Sequence, residues 1–173
     1  MKLLSHPSPN SAGGSATVPA PADPRLQSLG QEAWSEVLAS ADAEHPGAAA
    51  AARAWSATSR GQALLAAIFG NSPFLTGVAV REWEFLTRLV ENGPDPLFQA
   101  LIADTKRPID GGDTAELMRR LRIARRRVAL TAALAELTGA WTLEQQMAAL
   151  TRFAEAAIEA AITHLLRATP GTP

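Results

Sequence analysis

Two stretches of helix-forming sequence, residues 113–138 and 142–168, are separated by only three residues, and that spacing constrains the fold more than any other feature of the chain. Each stretch is about 25 residues, or roughly 40 Å of α-helix at 1.5 Å per residue. A link that short makes the two helices antiparallel neighbours. Both open on a capping box, Asp113 with Glu116 and Thr142 with Gln145, and Gly139 supplies the stop between them. The first carries an apolar stripe of Leu117, Leu121, Ala124 and Val128, widening to Leu130, Leu134 and Leu137. The second repeats Leu143, Met147, Leu150, Ala154, Ala157, Ala161 and Leu165 at three- and four-residue steps. The alanines in this stripe predict a close approach of the two axes, with Trp141 plugging the end of the hairpin.

Upstream the punctuation is repetitive. Asp23-Pro24 and Ser72-Pro73 each pair an N-cap with a proline whose missing N–H costs nothing in a first turn. The first opens a helix through Leu26, Leu29, Ala33, Trp34, Val37 and Leu38 that stops before His45-Pro46-Gly47. An alanine-rich helix is expected over residues 48–57, another over 62–69, a short one from Pro73, one from Glu82 to the break at Asn92-Gly93-Pro94, and one opened by Asp95-Pro96. Residues 5–22, rich in Ser, Pro, Gly and Ala, lack the large apolar groups that would offset the entropy of ordering. The predicted organisation is a disordered leader over 1–23, a short-helix subdomain over 24–107, a long helical hairpin over 113–168 and a tail over 169–173. The fold class is all-α: β-branched runs are missing, tyrosine is absent, and nearly half of the residues are apolar.

Composition removes several function classes. With no cysteine there is no disulfide framework, thiolate metal site or cysteine nucleophile, which fits a cytoplasmic protein. His6, Pro7 and Pro9 interrupt the amino terminus before a signal-peptide apolar core forms, and no apolar run is long enough for a membrane span. A formal net charge of -1 argues against a general polyanion binder.

The strongest chemical signal is six arginines at 119, 120, 122, 125, 126 and 127. At about 100° per residue they sweep roughly 220° of the helix, leaving the leucine stripe in the remaining arc. Arg119, Arg122, Arg125, Arg126 and Arg127 form the candidate interaction face, suited to carboxylates or phosphates on a partner. The plainer alternative is a solvated face, or one paired with acids of the same chain. Nucleic acid is disfavoured because no aromatics are interleaved for base stacking. The histidines His6, His45 and His164 are scattered and have no metal-ligand spacing; His164 near a helix end is read as a favourable charge against the dipole. No nucleophile elbow, Walker loop or dinucleotide fingerprint is present, and Gly111-Gly112 follows a proline turn instead of a strand. Catalytic, cofactor-binding and metal residues are therefore assigned to none of the positions in this chain.

Five segments in order carry a family resemblance. Asn71-Ser72-Pro73-Phe74-Leu75 precedes Arg81-Glu82-Trp83-Glu84-Phe85-Leu86. Further on, Arg125-Arg126-Arg127-Val128-Ala129-Leu130 runs into Leu134-Ala135-Glu136-Leu137-Thr138-Gly139 and then Ala149-Leu150-Thr151-Arg152-Phe153-Ala154-Glu155-Ala156-Ala157-Ile158. Over about residues 60–167 the chain resembles the amino-terminal helical region of the bifunctional glutamine synthetase adenylyltransferase/adenylyl-removing enzymes. Trp83 stands where that family usually has proline, and Glu136 and Glu155 replace aspartates.

The resemblance implies a role in nitrogen assimilation, where the family enzyme adds AMP from ATP to glutamine synthetase and removes it again, using Mg2+. It also implies that chemistry resides in a nucleotidyltransferase domain with Gly-Ser and Asp-x-Asp elements, and no Asp-x-Asp occurs here. The expectation is thus a shortened, non-catalytic scaffold with no cofactor of its own, ATP and Mg2+ belonging to the full-length enzyme. Its expected partners are the nucleotidyltransferase domain of the parent and glutamine synthetase itself. The competing reading is a stand-alone helical interaction or oligomerisation module.

Overall fold

The computed structural model describes residues 18–109 and 113–168. Eight helices lie in this range: α1 (Pro24–Ala41), α2 (Pro46–Ser56), α3 (Ser59–Asn71), α4 (Pro73–Arg81), α5 (Trp83–Asn92), α6 (Pro94–Lys106), α7 (Thr114–Thr138) and α8 (Leu143–Ala168). No strand occurs among the described residues, so the chain is all-α.

The helix starts follow the predicted chemistry. Asp23 accepts from the backbone N–H groups of Arg25 and Leu26, and Ser72 from that of Leu75, each with proline in the first turn. Three starts come earlier than expected, the first being α2, which begins at Pro46 instead of 48. Thr58 caps α3 through the N–H of Gly61, so the helix begins at Ser59. At α6, Gly93 at φ 88° turns the chain in a region closed to other residues, and Pro94 takes the first helical position.

The expected leader over 1–23 falls mostly outside the described residues, as do Gly111-Gly112 and the 169–173 tail. The described end of the leader is docked. Asn71 accepts from the N–H of Ala22 and donates to the carbonyl of Ala20, and the N–H of Asp23 reaches the carbonyl of Gly70 at 3.0 Å.

Helix α1 lies along α3, α2 packs on α5, α4 touches α7, and α6 sits against both α7 and α8. The α1–α3 approach depends on Gly30, where an added Cβ would come within 2.5 Å of the Phe69 ring. One continuous core runs from Trp34 and Trp55 through Phe69, Leu86, Leu89 and Phe98 to Leu130, Leu134 and Trp141. Trp34 and Trp55 meet edge to face at 5.6 Å. Burying side chains of this size contributes about 1.5–3 kcal/mol each, which is why four tryptophans can anchor so many short helices.

The hairpin link behaves as its sequence predicts. Gly139 adopts the left-handed conformation at φ 66° and ends α7. Thr142 and Gln145 exchange backbone and side-chain hydrogen bonds at 2.8 and 3.3 Å, a complete capping box. Trp141 is buried, lies edge to face on Phe98, and donates its indole N–H to Asp95 at 2.9 Å. The box at the head of α7 is only half formed. Asp113 accepts from Ala115 and Glu116, but the Glu116 carboxylate turns forward to grip Arg119 and does not reach back to the cap.

Candidate interaction surface

The arginine cluster of α7 divides by what each guanidinium meets. Glu82, the single residue between α4 and α5, is 6% exposed and faces α7. Arg126 donates to its Oε1 from Nε at 3.0 Å and Nη2 at 2.7 Å, while Arg127 donates from Nε to Oε2 at 2.7 Å. Arg127 also lies over the Phe85 ring, 5.3 Å from its centroid. Both carboxylate oxygens are thereby used, and a helix corner is pinned to the middle of α7 by charge-assisted bonds.

Arg119 forms a bidentate pair with Glu116 on the exposed first turns of α7, and this guanidinium holds the Glu116 carboxyl below its ordinary value. Arg120 is buried instead of solvated, and the arc argument that placed it on a polar face misses this. Arg122 and Arg125 are exposed and have no ion-pair partner among the described residues. The candidate face thus comprises two intramolecular clamps and two free cations.

The second surface was not anticipated. On α8 the residues that turn inward are Ala149, Phe153, Ala156 and His164, not the stripe of large side chains. Leu143, Met147, Leu150, Ile158, Ile162, Leu165 and Leu166 are 45–69% exposed. The expected stripe and the buried stripe are adjacent arcs of one broad apolar helix, and α8 turns alanines, Phe153 and His164 inward while most of its large aliphatic side chains face outward. His164 is correspondingly not a solvated helix-end charge: it is buried, with Nε2 2.9 Å from the Thr114 hydroxyl across the hairpin. A contiguous row of large apolar side chains on one helix is the kind of surface that marks an interaction site.

Among the described residues no cluster of three or more His, Asp or Glu side chains is placed to hold a metal ion. Glu82 and Glu116 are engaged by arginines, and Asp113 caps a helix. No helix among the described residues is long and apolar enough to cross a membrane.

Comparison with known proteins places residues 62–172 within the model of the glutamate-ammonia ligase adenylyltransferase family. The chain is similar to bifunctional glutamine synthetase adenylyltransferase/adenylyl-removing enzymes from several bacteria. The Caulobacter vibrioides protein is 34% identical over 103 residues, covering 60% of this chain and 10% of the relative. That of Xanthobacter autotrophicus is 40% identical over 96 residues (56% and 10%), and that of Bradyrhizobium diazoefficiens 35% over 108 residues (62% and 11%). The matched part of the chain therefore spans about a tenth of the length of these curated relatives. No solved structure matches the chain significantly.

Proposed function

We propose that this chain, which belongs to the glutamate-ammonia ligase adenylyltransferase family, serves as a helical scaffold that docks on the nucleotidyltransferase domain of the parent adenylyltransferase. In this reading the chain supplies no transfer chemistry. ATP and Mg2+ bind in the domain it docks on, and glutamine synthetase is reached through that domain. The observation that carries the proposal is the outward apolar row of α8 from Leu143 to Leu166. It lies within the matched region, in a chain whose relatives are about ten times longer than the match. Such a row is costly to leave in water, which favours its burial against another part of the longer family enzyme. Arg122 and Arg125 on α7 are available as polar contacts at the rim of that interface.

The test is association with the remainder of a relative, for example the Caulobacter vibrioides enzyme with its matching segment removed. The full 173-residue chain should bind it, and Met147→Lys with Leu150→Glu should abolish binding while the helical spectrum and unfolding midpoint hold. Absence of binding, or binding indifferent to those two substitutions, overturns the proposal. The competing reading, a self-pairing module, predicts a stable dimer of the isolated chain that the same pair of substitutions dissociates.

A further inference from the structure

Beyond the α8 surface, the molecule contains a cleft where the end of α6, the first turns of α7 and the last turns of α8 converge, with a volume of about 290 Å³. Lys106, Arg107, Arg120, His164 and Arg167 line it, and among the described residues no carboxylate does. Two of these cations have plain local roles. Lys106 and Arg167 lie in the last turns of α6 and α8, where positive charge complements the helix dipole. Lys106 is paired outward with Glu159 at 2.5 Å, and Arg107 with Asp104 at 2.7 Å, both in exposed pairs that neutralise weakly.

Arg120 has no such explanation. It is 8% exposed, its Nη2 donates to the carbonyl of Arg107, and its buried Nε has no hydrogen-bond partner. No carboxylate among the described residues pairs with it. A buried guanidinium with an orphan donor is costly: the Glu116 carboxylate one turn back, itself gripped by Arg119, feels its charge without bonding to it, and its Nε–H is met by nothing. Arg120 lines the cleft, and an oxyanion there would bring the full counter-charge that its guanidinium lacks. Thr163 and His164 of α8 also line the cleft.

We infer that this cleft binds a small phosphate-class anion, either inorganic phosphate or a phosphate monoester, with Arg120 as the central ligand and Arg167 as a peripheral one. The cleft is at the small end of ligand-pocket volumes, which suits a compact anion better than a nucleotide. Its walls come from three helices, so occupancy would tie the open end of the α7–α8 hairpin to α6.

The experiment is a titration of the full chain at constant ionic strength, followed by NMR of the Arg120 Nε–H and the His164 ring, with inorganic phosphate, glycerol 3-phosphate and acetate in separate arms. Saturable shifts with phosphate, or with the monoester alone, support the site and identify the source of the anion. Arg120→Met should weaken binding by about ten- to a hundredfold, the loss expected for a hydrogen bond to a charged group. Should that variant fold poorly, Arg167→Ala on the exposed rim gives the second reading, a several-fold weakening with the fold intact. No saturable shift with either phosphate, an equal response to acetate, or affinities unchanged in both variants overturns the inference. A failure of α8 to dock on a partner leaves this result untouched, since the cleft is read with the isolated chain.

Discussion

Arg126 reaches Glu82 with two nitrogens on one carboxylate oxygen, at 3.0 and 2.7 Å, and so fastens the corner between α4 and α5 to the centre of α7. Arg127 takes the other oxygen, and Glu82 is almost fully withdrawn from water. The unit is a clamp whose acid is buried and whose bases are partly wet.

Glu82→Gln should therefore destabilise the chain by about 2 kcal/mol. Removing one partner of a buried ion pair costs about 3–5 kcal/mol. The loss here is smaller because Arg126 and Arg127, at 26% and 32% side-chain exposure, can rehydrate. Urea unfolding should show a lower midpoint at an unchanged slope. An unchanged midpoint would show that the clamp contributes nothing net.

Trp141 offers a separation of ring from N–H. Trp141→Phe keeps an aromatic against Phe98 but loses the bond to Asp95, and should cost about 1 kcal/mol. Trp141→Ala also empties the end of the hairpin and should cost about 3–5 kcal/mol. Equal losses in thermal or urea unfolding would mean that the indole N–H, not the packing, secures the link.

Gly30→Ala should be destabilising by about 1–3 kcal/mol, the range for forcing extra volume into a packed contact. The new methyl would meet Phe69 Cγ at 2.5 Å and Cβ at 2.6 Å, part of a side chain rooted in α3. Helix propensity alone predicts the opposite sign, since alanine is the better helix former. Unfolding of this variant thus decides between local preference and interhelical spacing.

The hydrogen bond from Arg53 holds the Asp42 carboxyl below its ordinary 3.8, outweighing a smaller opposing desolvation, with the Arg53 charge adding the least. Its stabilising contribution is fully present above the unfolded value and fades as pH falls through the lower folded one. Direct NMR titration of the Asp42 carboxyl should give a midpoint under 3.8 that returns toward it in Arg53→Ala. The stability difference between the chain and Asp42→Asn should shrink over the same acid range and, for an exposed pair, remain small throughout.

The helices were legible because their ends are written in short-range chemistry: Asp23, Ser72 and Thr142 each satisfy backbone groups within three residues. Which way a helix faces was less legible. Periodicity on α8 weights large side chains, but close packing against α6 and α7 selects small ones, so Ala149 and Ala156 go in while Leu143 and Met147 stay out. The arginine face was partly legible for a similar reason. Spacing along α7 identifies a charged helix, but nothing local reveals that Glu82, 44 residues before Arg126, waits opposite it. Nor does an angular count show that Arg120, at the edge of the polar arc, is covered by the chain leading out of α6.

The left-handed turn at Gly139 acts as an angular index for everything that follows it. One residue added to or removed from that link would rotate α8 by about 100° about its axis. Such a turn would drive leucines into a seat cut for alanines and swing Ala149, Ala156 and His164 out to water. The chain's outward chemistry is thus set by a four-residue dial, and a change of length there could rewrite what the molecule presents without shortening a single helix.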